Sequence, residues 1–171
     1  MSSKILKLSL IVAFMFAVSL LLYASPYMAL NQLFKAAGDD SKHGIIAHFT
    51  DKESIKKNIL KRYNIALFFG LDTEAIAPEK RAEKVAIEES IKYAVNILVN
   101  EESISDLFVA LKNKKLGDQA IDVIYTYDGF NEFKIFVKKD KVEQEIVFTR
   151  YNLMFWKITD IKFPINPNEF Y

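Results

Sequence analysis

The spacing of apolar residues divides the chain into three stretches. Residues 8–24, LSLIVAFMFAVSLLLYA, are continuously apolar, with Ser9 and Ser19 as the only polar interruptions. After Ser25-Pro26 the apolar residues recur every three or four positions, the period of helices buried along one face. Leu30, Leu33, Phe34 and Ala37 form the first stripe. It belongs to a new or kinked helix starting at Ser25-Pro26, which suit an N-cap and a first helical position. Gly38-Asp39-Asp40 ends it. Residues 43–49, HGIIAHF, predict a short buried turn or helix. Thr50 with Glu53 three residues later has the form of a capping box. It opens a helix with Ile55, Ile59, Tyr63, Ala66 and Leu67 on one face, closed by Gly70. After a connector over 71–77, Pro78 opens a helix whose buried stripe is Ile87, Ile91, Ala94, Val95 and Leu98. Asn100-Glu101-Glu102 restarts a shorter helix anchored by Leu107, Phe108 and Leu111, and residues 114–118 form a loop.

From Gln119 the period becomes two, which predicts strands. Ile121, Val123, Tyr125 and Tyr127 alternate, and Asp128-Gly129 marks a turn. Phe133, Ile135 and Val137 alternate next, followed by a polar turn around Lys139-Asp140-Lys141. Ile146, Phe148 and Arg150 then alternate against Val147 and Thr149. In the last strand, which runs to Phe163, Trp156 and Ile158 are out of phase with Ile161 and Phe163. A bulge near Thr159-Asp160 would restore the phase. Pro164 and Pro167 end regular structure. Helices followed by a meander predict an α+β fold: an N-terminal transmembrane helix, then three to four helices packed on a four-stranded antiparallel sheet.

The apolar run is nearly long enough to cross a hydrocarbon core, and Lys4 and Lys7 flank it. Three readings compete for it: a cleaved signal peptide, an uncleaved anchor and a buried core helix. Cleavage after Ala24 would leave Leu22 at the −3 position, and cleavage after Ser25 would meet Pro26; both are poor sites. The uncleaved anchor is therefore favoured, with residues 1–24 as anchor and 25–171 as one soluble domain. The charged flank before the run is short and more easily left in the cytosol. This predicts a single-pass protein of a bacterial inner membrane with a periplasmic domain.

Composition removes several function classes. The net charge of +1 falls to −1 once Lys4 and Lys7 are set aside, which speaks against a nucleic-acid partner. With no cysteine there is no disulfide framework and no thiol nucleophile. His43 and His48 are five residues apart, off the same-face spacing that a helical metal site uses. No Gly-x-Ser-x-Gly or Gly-x-Gly motif occurs, and the adjacent pairs Glu88-Glu89 and Glu101-Glu102 read as solvated helix faces. No catalytic residue, metal or cofactor is expected.

The segment Tyr23-Ala24-Ser25-Pro26-Tyr27, followed by Leu30 and Leu33, resembles the opening of bacterial domain-of-unknown-function family 2939. Phe49, Ser54, Ile55 and Lys56 are similar to a second stretch of that family. Trp156-Lys157-Ile158-Thr159, near Arg150, is similar to its closing strand. The resemblance covers nearly the whole chain and implies no activity. Helices followed by a curved sheet are also similar to cystatin-like or nuclear-transport-factor-2-like cones.

Two sets of residues remain as candidates. Lys56, Lys57, Lys61 and Arg62 form the densest basic cluster and could meet anionic headgroups. The pairs Phe133/Phe136 and Phe155/Trp156 place aromatics on both faces of the sheet, as a partner surface or ligand pocket would. The reading is a membrane-tethered, non-enzymatic interaction domain with a protein partner in the envelope. The alternative is a binding module for a small apolar or lipid-like ligand held between helices and sheet.

Overall fold

The computed structural model describes residues 3–68, 78–139 and 142–162. Among the described residues the fold is α+β: five α-helices followed by a four-stranded antiparallel sheet. The helices are α1 (Ser3–Ala36), α2 (His43–His48), α3 (Lys52–Phe68), α4 (Pro78–Leu98) and α5 (Glu101–Asn113). A short hairpin, β1 (Lys115–Leu116) with β2 (Gln119–Ala120), precedes β3 (Asp122–Asp128), β4 (Glu132–Lys139), β5 (Val142–Arg150) and β6 (Trp156–Lys162). That hairpin occupies the stretch expected as a loop, with Lys114 and Gly117 both at positive φ. The closing of α3 at Gly70, the connector over 71–77, the centre of the Lys139–Lys141 turn and everything from Phe163 onward lie outside the described residues.

α1 is a single 34-residue helix with Pro26 inside it, where the sequence predicts a new or kinked one. A proline cannot donate to the carbonyl four residues back, so Leu22 O loses its helical partner. Here the Ser25 hydroxyl donates to that oxygen at 2.7 Å and Arg150 Nη2 at 3.3 Å. The Tyr127 hydroxyl donates to the next carbonyl, Tyr23 O. Side chains from the sheet thus replace what the proline removes, and the helix continues. The two halves of α1 meet different surroundings. Leu10, Phe14, Phe16 and Leu21 are each more than half exposed, whereas Leu33 and Ala36 are fully buried. The segment Ser9–Ala36 is long and apolar enough to cross a membrane. α1 ends at Gly38 (φ 79°), where a side chain would press on Val109 and the backbone N–H donates to the buried Ser105 hydroxyl of α5.

The inner face of the sheet carries the core. Register aligns Tyr127, Phe133, Phe148 and Ile158 in one row and Tyr125, Ile135, Ile146 and Ile161 in the next. Phe34 of α1 and Phe108 of α5 meet edge-on at 6.0 Å, and Phe108 reaches Phe148 at 6.4 Å. The outer face carries ion pairs among apolar residues such as Phe136 and Val147: Lys134 pairs with Asp128, Glu132 and Glu145, and Glu145 also takes Lys162. The expected bulge is present. Phe148 pairs with Ile158 and Val147 with Asp160, so Thr159 is the extra residue that lets both Trp156 and Ile161 point inward.

The edge of β6 is covered. Phe49–Asp51 lies parallel to it, with Asp51 N donating to Ile158 O at 2.9 Å and Ile158 N to Phe49 O at 2.8 Å. Covering an edge this way removes a template for pairing with other chains. α3 starts from this segment, and its cap corrects the sequence reading. Asp51, not Thr50, accepts from the N–H of Ser54 at 3.0 Å, while the Thr50 hydroxyl turns back to Ile46 O. The stripe assigned to α4 needs a second correction. Val95 and Val99 are buried, but Ala94 and Leu98 are exposed. The side chains of Tyr63, Ala66, Leu67, Ile87 and Ile91 lie outside the description. α5 restarts at Asn100-Glu101-Glu102 as expected, with Asn100 as its cap, accepting from Ser103 N at 2.7 Å.

Candidate functional site at the joint of helix and sheet

The described residues concentrate unusual chemistry at one place, where the exposed half of α1 passes into its buried half. The inward row of β5 reads Ile146, Phe148, Arg150, so a cation stands where the pattern calls for an apolar residue. Arg150 Nε donates to Phe130 O at 3.0 Å, in the β3–β4 turn. Nη1 donates to Leu153 O at 2.5 Å, in the β5–β6 turn, and Nη2 to Leu22 O of α1. Its guanidinium lies 4.2 Å from the Phe130 ring centre and 4.4 Å from that of Trp156. One side chain therefore ties two turns and a helix together. Burial lowers its pKa from the ordinary arginine value, but a guanidinium remains charged in a protein. Among the described residues it meets carbonyls and ring faces and no carboxylate.

Trp156 completes the joint. Its ring is fully buried, and its N–H donates to the Ser25 hydroxyl at 2.7 Å. Around it stand tyrosines. Tyr23 stacks on Tyr127 at 4.9 Å, and Tyr27 meets Phe133 edge-on at 5.0 Å. Burial, with Tyr27 close by, pushes the Tyr127 phenol up to about 12, so it stays a donor toward Tyr23 O at neutral pH. A cavity of about 380 Å³ opens here, lined by Ser19, Leu22, Tyr23, Tyr127, Phe130 and Arg150.

The residues singled out from the sequence fall in three places. Phe133 and Trp156 are fully buried on the inner face, packed among their neighbours. Phe136 is half-buried on the outer face, opposite Glu145. Phe155 packs on the His48 ring at 4.7 Å and on Phe49 at 5.8 Å. The basic cluster lies along α3, which climbs beside β6 away from the joint: Asp51 bonds Ile158, Asn58 bonds Thr159 O and Arg62 bonds Ile161 O. Lys57 and Lys61 are exposed and Lys56 is half-buried, whereas Arg62 pairs with Asp160 at 2.5 Å. A second, polar groove of about 540 Å³ lies between α3 and the outer face, lined by Asn58, Thr149, Thr159 and Asp160 among others. Among the described residues no group of three His, Cys, Asp or Glu side chains is placed to hold a metal ion. His43 lies 3.5 Å from Asp40, Glu101 is paired with Lys52, and Glu89 is paired with Lys92.

Sequence reasoning did not assemble Ser25, Tyr127, Arg150 and Trp156 into one cluster. The available signal was Arg150 in phase with Ile146 and Phe148, a charge on a core row that requires partners. The other contacts join residues about a hundred positions apart and leave no local trace. The comparisons return no matching family model, no matching curated protein and no matching solved structure.

Proposed function

We propose that this chain is a single-pass protein of a bacterial inner membrane, with a periplasmic α+β domain that works as a non-enzymatic interaction domain. The observation that carries the reading is the division of α1. Its first half presents Leu10, Ile11, Val12, Phe14, Met15, Phe16, Leu20 and Leu21 outward, and its second half is core. Each such side chain left in water forgoes roughly 1.5–3 kcal/mol of burial, so eight forgo on the order of 10 kcal/mol or more. That is comparable with the whole stability of a domain, and a bilayer offsets it. Ser19, near the end of this half, donates to Met15 O at 2.9 Å, so its hydroxyl meets apolar surroundings with its donor satisfied. Tyr23, Tyr27 and Tyr127 stand at the end of the run, where a membrane interface favours aromatic rings with polar tips.

The interaction role is supported by the inner face, where Phe133, Phe148 and Trp156 are fully buried and fill the core themselves; this favours partner binding over a ligand held within that core. The resemblance to family 2939 belongs to the same proposal, and two of its distant motifs touch through the Ser25–Trp156 bond. Alkaline carbonate extraction of bacterial membranes, followed by protease treatment of spheroplasts, tests placement. The expected result is a chain that stays in the pellet and loses its domain to external protease. Release by carbonate would overturn the anchor, and protection in spheroplasts would overturn the orientation. Crosslinking in those membranes should recover a reproducible protein partner; recovery of none would contradict the interaction role.

A further inference from the structure

We propose that the end of the sheet carrying the β3–β4 and β5–β6 turns is a phospholipid-contact face. In it, Phe130, Leu153 and Met154 enter the headgroup–acyl boundary, and the cavity beside Arg150 takes a lipid phosphate. This rests on the membrane-spanning reading of α1. The placement follows from the Arg150 clamp, which bonds both turns to Leu22 and so holds them level with the last turns of the apolar run. At that level the turns present apolar tips: Phe130 is 60% exposed, Leu153 68% and Met154 45%. A soluble surface rarely gathers such side chains on adjacent turns, whereas a lipid-facing one does. The exposed face of α1 continues directly into this patch through Ser19, Leu22 and Tyr23, which form one wall of the cavity.

The chemistry of the cavity selects the ligand. Its walls are mostly apolar, and its one charged group is a guanidinium that no carboxylate neutralises among the described residues. Arginine has five N–H donors and three are engaged, which leaves two for a phosphodiester. An amphiphile with a phosphate at the level of the aromatic belt fits both features. The lysines of α3 run up the flank away from this end, so the contact is made by turns and one arginine.

The absence of cysteine allows single labelling sites without background changes. Val12→Cys, Ile124→Cys, Phe130→Cys and Leu153→Cys would each carry bimane in the full chain, in nanodiscs of phosphatidylcholine with a minority of phosphatidylglycerol. Nitroxide lipids then quench by depth. The expected result is quenching at 12 by acyl-chain nitroxide, at 130 and 153 by headgroup-level nitroxide, and little at 124. Quenching at 12 with 130 and 153 as dark to the probe as 124 would overturn the contact face and leave the anchor standing. No quenching at 12 would overturn both. Native mass spectrometry of the chain released from these discs tests the phosphate site. Wild type should retain one phospholipid, and Arg150→Gln should hold it roughly a hundredfold more weakly, the loss of two charge-assisted hydrogen bonds. Ser19→Phe, which fills the cavity from the helix and spares the clamp, should lose it too. Undiminished lipid in Ser19→Phe would overturn the cavity as the site.

Discussion

Ser25 and Trp156 show how far a single polar contact can reach in this molecule. The serine hydroxyl accepts from the buried indole N–H and donates to the carbonyl that Pro26 orphans. Ser25→Ala removes both bonds and leaves a buried donor unmet, which costs about 1–3 kcal/mol. In the Ser25→Ala background, Trp156→Phe deletes that stranded donor and should cost less than it does in wild type. Urea unfolding of the full chain in mild detergent, run as a double-mutant cycle, measures the coupling; strictly additive costs would contradict the contact. Asp51 offers a pH test. Burial raises its pKa, but the Tyr151 and Ser54 hydroxyls, the Ser54 N–H and the Lys157 charge outweigh this and hold it below the usual carboxylate value. A depressed folded value means the stabilisation is complete above the unfolded pKa of about 4 and is lost as pH falls through the lower folded value. Asp51→Asn, which still caps a helix, should therefore be less stable than wild type near neutral pH, with the difference closing in acid. A gap that is constant from neutral to about pH 2 would refute the charge-assisted role of Asp51.

At the scale of elements, the bulge in β6 makes the clearest prediction. Thr159 is the surplus residue, so deleting it leaves Trp156, Ile158 and Ile161 in phase and removes only the Asn58 contact and the Thr149 hydroxyl partner. Deleting Lys157 instead shifts Trp156 to the outer face, because a one-residue slip inverts a strand. The Thr159 deletion should fold with a loss of about 1–2 kcal/mol, and the Lys157 deletion should not give a folded domain, as judged by tryptophan fluorescence and unfolding. The opposite ranking would contradict the register. This bulge was legible beforehand because a strand has a strict period and a phase error is visible in one dimension. The Asp128-Gly129 turn and the helix restart at Asn100 were legible because they depend on local backbone chemistry. The α3 cap was misassigned by one residue because Thr50 and Asp51 are both competent caps, and the choice falls to the β6 edge, which draws Phe49–Asp51 into pairing. Ala94 and Leu98 of α4 were misread for a related reason: periodicity gives a stripe, while the neighbouring elements decide how much of it is covered. Continuity of α1 through Pro26 was illegible because it depends on Arg150 and Tyr127, more than a hundred residues away.

At the scale of the molecule, the consequence is a sheet fixed to the same helix that carries the long apolar segment. No linker separates them; one helix supplies the apolar stem and one wall of the core, and the Arg150 clamp holds the sheet against it at the changeover. A partner that moves the domain would therefore move the stem, and tilting of the stem would reorient the sheet. The central claim is that one unbroken helix divides its length between lipid and core. Spin labels placed singly along α1, in the full chain reconstituted in bilayers, test it through their accessibility to oxygen and to a water-soluble nickel complex. The account predicts oxygen access without nickel access at Leu10, Val12 and Phe14, and protection from both at Leu30, Leu33 and Ala36. Nickel access at 10, 12 and 14, or protection of those positions from both reagents, would contradict it.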